Sequence, residues 1–464
     1  MGMVNIGLSG VLANRVALNT TAQNTANVNT PGYSRQIVSF NATSSGNFVN
    51  GINLGAGVEV GNVIRIAEQS SINRLRESNE LAQYTNTYFE GLSNLENMLG
   101  AEGLSLTSGL NNFFAAIDEA SVSPESLAFR QQVLTNASAL AQQFNAVSTQ
   151  LNQQQAAQSE RYGALVTNVN SQLDSIAKLN TQLQEDALLG KSVSGLQDSM
   201  DKHLNELAKS VDIQVIYLES GGVEVSTPNG QPLVINGYSA TLERDLSSGD
   251  PYSSDLNIQF QSMLTPVDAS LGGEMGAIAA LKAEQYEPIK ALLNDMAGAL
   301  ATEVNAVLDG GYVLDGTQLT SPDSDLFIVT TGSESSSIAI NPDLTPKKLA
   351  FSTSPGSAGD GGKLTELSML SQKSLSTGSV SGKTLYSAYS GLLGDIGIFT
   401  RQAESESTAA QISLDDAQVI RDSVSAVNSD EEAANMLLYL NAYEANMKVI
   451  STANQMFQTL LQAF

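Results

Sequence analysis

The sequence predicts a mainly α-helical fold with an inserted β-rich domain. Its terminal helices form a coiled-coil-like bundle, a long helical rod domain follows, and an antiparallel β domain lies at the outer end. Three observations carry this expectation. Apolar residues near the C-terminus recur in a heptad. A helical pattern continues from the 120s to the 180s across the polar block "NQQQAAQSER", which holds neither Pro nor Gly. From Val211 the period changes, and β-branched residues alternate between glycine turns.

The N-terminal segment sets Leu8, Val11, Leu12, Leu18 and Ala22 at helical spacing. The stripe is thin, with Arg15 intruding and Gly7 and Gly10 near its start. It must end before Pro31, because a proline pushes the residues before it out of helical geometry. In "NTPGYSRQ", Pro31 fixes φ at the second turn position, Gly32 accepts a positive φ at the third, and Tyr33 leads out. The following "RQIVSFNA" alternates as a short strand does.

Glu68 to Leu99 is predicted as a helix. A second helix is expected to start at "SPES", with Ser123 as N-cap and Pro124 as the first helical residue. Ala137, Leu140, Phe144, Val147 and Leu151 step by three and four, and Val169, Leu173, Ile176 and Leu183 resume the pattern. These residues form one very long helix, roughly 90 Å if unbroken, or two stacked ones. Gly221-Gly222, Asn229-Gly230 and Asn236-Gly237 then punctuate short strands as hairpin turns do. Helix returns from Ala277 to Leu308, interrupted near Pro288. A Gly/Ser/Thr-rich segment that admits strands runs to about Lys363, and helix dominates from there to Arg421.

The C-terminal pattern is the clearest. Met436, Tyr443, Ile450, Phe457 and Phe464 recur every seven residues, and Leu440, Met447, Asn454 and Leu461 fall between them. This is an a/d stripe, and a polar residue such as Asn454 at an a position can fix register. Ser429 and Glu432 are expected to form a capping box, with Asp430 and Glu431 on the positive end of the helix dipole. An aromatic stripe running to the last residue needs a partner. Both ends are therefore expected to be weakly ordered alone and firm when packed. The expected domains are 1–45 with 425–464 (terminal helices), 46–205 with 272–310 and 363–424 (helical rod), and 206–271 (β-rich). Residues 311–362 are expected to attach to the β-rich domain.

A chain of 464 residues has length for about three domains. Its net charge of −26, from 22 basic and 48 acidic residues, argues against nucleic acid and against anionic membrane surfaces. There is no Cys and no Trp, and the one His, His203, lies in a polar helical context. No HExxH, CxxC, P-loop or EF-hand pattern occurs. No cofactor, no metal and no catalytic activity are expected. The N-terminus lacks a basic, apolar and cleavable signal pattern, and no run of 18 apolar residues spans a membrane. A soluble protein is expected, exported if at all without a cleaved signal.

Six quoted stretches point to a family. "ALNTTAQNTANVNTPGYSRQ" (17–36) resembles the N-terminal signature of flagellar rod, hook and hook-associated proteins. "DEEAANMLLYLNAYEANMKVISTANQMFQTLL" (430–461) is similar to their closing helix. "SPESLAFRQQVLTNASALAQQFN", "GGEMGAIAALK", "LLNDMAGALATEVNAVLDGGYVLDG" and "GDGGKLTELSML" resemble the FlgK family of hook-associated proteins in particular. The resemblance spans nearly the whole chain, with departures at Ala426, Ser429 and the Gly361-Gly362 pair.

The resemblance implies an extracellular structural protein of the flagellum, an adapter at the hook-filament junction that leaves through the type III export channel. Its implied partners are further copies in a helical ring, the hook protein, the next hook-associated protein on the filament side, and an export chaperone. The assembly interface would comprise the two terminal stripes together with Pro31, Gly32 and Tyr33. The chaperone would contact Met447, Ile450, Phe457 and Leu461. A hook or distal-rod protein is the alternative within the same class. An adhesin acting through the β domain is the alternative from another.

Overall fold

A computed structural model describes residues 2–49, 52–218, 221–267 and 271–463. Helix α1 (Gly2–Ala26) ends before the Pro31 turn. Two long strands follow, β1 (Gln36–Val49) and β2 (Ile52–Arg65). They pair antiparallel from Gln36 opposite Arg65 outward, with bulges that bend the ribbon. The expected division at residue 45 thus falls inside a strand, and residues 52–65 are hairpin instead of helical rod. Val58, Val60, Val63 and Ile64 favour a pleated surface, which explains the difference.

Helix α2 (Gln69–Leu99) matches its expected span. Helix α3 (Leu106–Val122) was not expected, although Leu110, Phe113, Phe114 and Ile117 line its buried face. Ser123 and Pro124 belong to the connection after α3, and the next helix takes Ser126 as its N-cap. That helix, α4 (Leu127–Leu188), is a single rod of 62 residues, about 93 Å long at 1.5 Å per residue.

Helix α5 (Ser194–Ser210) turns back along α4. It leads into two small antiparallel sheets. The first holds β3 (Gln214–Tyr217), β4 (Val223–Ser226), β5 (Pro232–Ile235) and β6 (Tyr238–Ser239). The second holds β7 (Thr241–Arg244), β8 (Leu256–Phe260) and β9 (Met263–Val267). The turn signals lie at connections where Gly221, Gly230 and Asn236 take positive φ. Helix α6 (Gly273–Leu281) then continues through a π-turn at Lys282–Tyr286 into α7 (Glu287–Leu308). Pro288 sits in the first turn of α7, where its missing N–H is tolerated.

After α7 come β10 (Phe327–Ile328), α8 (Glu334–Ser337), β11 (Ala339–Ile340) and α9 (Gly362–Met369). Helix α10 (Leu385–Ser425) returns antiparallel to α2, with the Tyr389 hydroxyl donating to the Leu99 carbonyl at 3.0 Å. Helix α11 (Ser429–Gln462) closes the described chain.

Two apolar cores occur, both threaded by α4. The first joins Phe113, Phe144 and Leu151 to Met296, Leu300 and Tyr389. The second joins Tyr162, Leu173 and Ile176 to Leu204, Val223, Val234 and Ile258. The expected domains are corrected in two places. A boundary at 206 cuts α5, because sheets of four- and five-residue strands need a helix to cover one face, and α4 with α5 supply it. Residues 311–362 pack on the first core through Leu326, Phe327, Leu349 and Phe351, not on the β-rich part. Among the described residues no helix is long and apolar enough to cross a membrane.

Candidate assembly interface

Helices α1 and α11 lie antiparallel, with Gly7 beside Ile450, Gly10 beside Asn446 and Asn24 beside Glu432. The buried face of α1 is made of small residues: Gly7, Gly10, Val11, Ala13, Ala17, Thr20, Thr21 and Asn24. A Cβ at Gly7 would stand 2.8 Å from Ile450 Cγ1, and one at Gly10 would collide with the Asn446 amide. Glycine is needed there because the two backbones come so close.

This geometry corrects the expected N-terminal stripe. Val11 is buried and Leu18 half-buried, but Leu8, Leu12 and Ala22 face outward. Small residues let the helix axes approach, so the leucines turn away from the seam. On α11, Tyr443 and Ile450 are half-buried, while Met436, Leu440, Met447, Asn454, Phe457 and Leu461 are exposed. Asn454 is not in a buried seam, so its expected register role has no support within one chain. Phe464 lies outside the described residues. Among the described residues of α11 only Glu432 is buried. Phe457 is 62% and Leu461 65% exposed, an apolar surface unusual for a lone chain. The expected capping box is also replaced. Asn428 caps α11 by accepting from the Asp430 and Glu431 amides, and Glu432 turns inward.

Where both chain ends meet the body, a polar joint forms. The Tyr33 amide donates to the Thr30 carbonyl at 3.2 Å, closing the turn, and Gly32 has φ +82° as a type II turn requires. Pro31 is exposed at its apex. The Tyr33 hydroxyl donates to Asn24 Oδ1 at 2.9 Å, and the Gln36 amide donates to the same oxygen at 3.0 Å. Asn24 Nδ2 donates to the Gln36 carbonyl at 2.8 Å and to Glu432 Oε1 at 3.1 Å. Burial, with the charges of Asp198 and Glu432 nearby, pushes the Tyr33 phenol up to about 12. The Arg35 amide donates to the Ser425 carbonyl, and its guanidinium pairs with Glu431.

The joint continues into the body. Arg65 Nη1 donates to Asp201 Oδ2 at 2.6 Å and Asp198 Oδ1 at 3.2 Å, tying the hairpin to α5. The Tyr217 hydroxyl donates to Asp201, and Arg76 donates to that hydroxyl, which links β3 and α2. Burial raises the Asp198 carboxyl above its usual range, against the lowering pull of Ser34 and Arg65. The hairpin also rests on α1, where the Val58 amide donates to Ser9 Oγ at 3.2 Å. Phe40 meets Tyr439 edge-on at 6.4 Å.

Sequence reasoning brings Tyr33 to this joint but misses Asn24, Arg35, Arg65, Asp198, Asp201 and Glu432. Asn24 carries one usable signal: it lies on the same helical face as Gly10, Ala13 and Ala17. His203 bonds Gln172 at 2.7 Å and joins α5 to α4. Among the described residues no group of His, Cys, Asp and Glu is placed to hold a metal.

Comparison with known proteins agrees with this architecture. Residues 92–327 match the family model described as the flagellar hook-associated protein FlgK helical domain. Residues 422–463 match the flagellar basal body rod FlgEFG protein C-terminal model. The chain is 28% identical to flagellar hook-associated protein 1 of Bacillus subtilis, covering 97% of this chain and 95% of that one. It is 25% identical to the protein of the same name from Salmonella typhimurium, over 99% of each. The solved flagellar hook junction protein FlgK from Burkholderia pseudomallei superposes with a TM-score of 0.68 at 15% identity. That likeness covers 76% of this chain and all of that one, and it concerns the fold. With its helical domain matched over half its length, the chain belongs to the FlgK family of flagellar hook-associated proteins.

Proposed function

We propose that this chain is a structural axial subunit of the bacterial flagellum, an adapter that joins hook to filament and catalyses no reaction. One observation carries the reading: α11 leaves nearly all of its apolar residues uncovered while its N-terminal end is fixed to the body. Such a face is satisfied by neighbours. Contacts of this kind are head-to-tail and build a helical tube instead of a closed dimer. The neighbours are further copies, the hook protein below and the next hook-associated protein above.

The same exposed residues, Met447, Ile450, Phe457 and Leu461, are the proposed seat of an export chaperone, which would mask them before release. Export would proceed without a cleaved signal, to an extracellular position at the junction. The terminal helices would build the tube, and the β-rich part on α4 and α5 would lie outermost.

Electron microscopy of a deletion strain, with a gel of its medium, tests the reading. Complete hooks without filaments, plus flagellin lost to the medium, are expected. Absent hooks would move the assignment to rod or hook, and normal flagella would overturn it.

A further inference from the structure

We infer that Asn24 and Glu432 form a latch that seeds the pairing of the two terminal helices, which then close outward toward Gly7 and Ile450. Asn24 is 1% exposed and Glu432 2%. The Asn24 amide takes two donors and gives two, so its capacity in this place is filled. The second oxygen of Glu432 is buried and takes no donor from the described residues. Its hold on α1 therefore passes through the Asn24 amide, and losing that amide leaves a buried carboxylate without support.

The latch end is already fastened to the body. Arg35 N donates to the Ser425 carbonyl at 2.8 Å, Arg421 reaches the Tyr33 carbonyl at 3.4 Å, and Ser34 N reaches Asp198 at 3.4 Å. Asn428 caps α11 two residues before Asp430. The first turn of a helix is its unfavourable step, and here that turn is held by a cap and by the latch. Farther along α11 the residues are half-buried or exposed, and the seam with α1 is mostly glycine and alanine. The hold on α11 thus weakens from Glu432 toward the tip. Asn24 and Glu432 are positioning residues: they set where α11 leaves the body and in which register α1 meets it.

Amide hydrogen exchange on the free full-length chain tests this. Residues 429–440 and 17–26 should exchange at least about tenfold more slowly than 450–462. Asn24→Asp sets two carboxylates together, and Glu432→Gln faces an amide donor with an amide. Each should abolish most of that protection. In the double variant the introduced amide at 432 donates to the introduced carboxylate at 24, and protection should return in part. Equal protection along α11, unchanged single variants, or a double variant no better than either single would overturn the latch. The exchange is read on the free chain, so it stands or falls separately from the proposed role in the flagellum.

Discussion

Gly7 of α1 lies against Ile450 of α11 so closely that a methyl group at residue 7 would stand 2.8 Å from Ile450 Cγ1. Gly10 is in the same position against Asn446. The two ends of the chain thus meet backbone to side chain, at a separation that only glycine permits. Gly10→Val should push the helices apart, at about 1–3 kcal/mol for an overpacked contact. Both apolar cores lie elsewhere, so the main thermal transition should stay in place. Circular dichroism and exchange of residues 2–17 check the first effect, and motility checks its consequence. A variant that swims normally would mean that this seam is not used in the assembled tube.

Phe457 and Met447 offer the opposite case. Both are exposed in the single chain, so Phe457→Ala or Met447→Ala should change its stability by no more than about 0.5 kcal/mol. Incorporation into junctions should nevertheless fall, because each removed side chain is worth roughly 1.5–3 kcal/mol once buried by a neighbour. Chemical denaturation and electron microscopy of a Met447/Ile450/Phe457 triple-alanine strain separate the two quantities. Normal junctions in that strain would remove α11 from the interface.

The legible parts of the fold are those in which local pattern and tertiary role coincide. Helices α2 and α4 carry their core stripes along their whole length, and the turns at Gly221, Gly230 and Asn236 need the residues found there. The seam of α1 was not legible, because a search for large apolar side chains favours Leu8 and Leu12 over Gly7 and Gly10. Glycine weakens an isolated helix, yet in this seam it makes the contact. Glu432 was mistaken for a capping residue since its burial depends on Asn24, 408 positions away. The placement of 311–362 depends on Phe327 and Phe351 reaching a core whose other residues are remote in sequence.

The joint has a pH signature. The Tyr33 phenol is pushed up to about 12, by burial first and by Asp198 and Glu432 next, against about 10 for an unfolded tyrosine. The unfolded chain therefore loses this proton first. The stability linked to neutral Tyr33 is full below about pH 10 and declines as pH rises toward 12. The difference in tyrosinate absorbance between the unsubstituted chain and Tyr33→Phe should titrate near 12. A midpoint near 10 would mean that the hydroxyl is not held by Asn24.

Asn180 tests whether the outer part depends on the rod. It is fully buried on α4, donates to the Val223 carbonyl at 2.7 Å and the Asn236 carbonyl at 2.8 Å, and accepts from the Val223 amide at 2.8 Å. Asn170 does the same for both backbone groups of Leu242, so the two sheets are each pinned to α4 by an amide. Asn180→Leu would leave three backbone groups without partners, at about 1–3 kcal/mol for each that stays dry. Residues 214–242 should then lose exchange protection, while 106–151, in the other core, keep theirs. If both regions weaken together, α4 couples the cores into one cooperative unit. If only the sheets weaken, the rod and terminal helices stand without them, and swimming should survive the substitution.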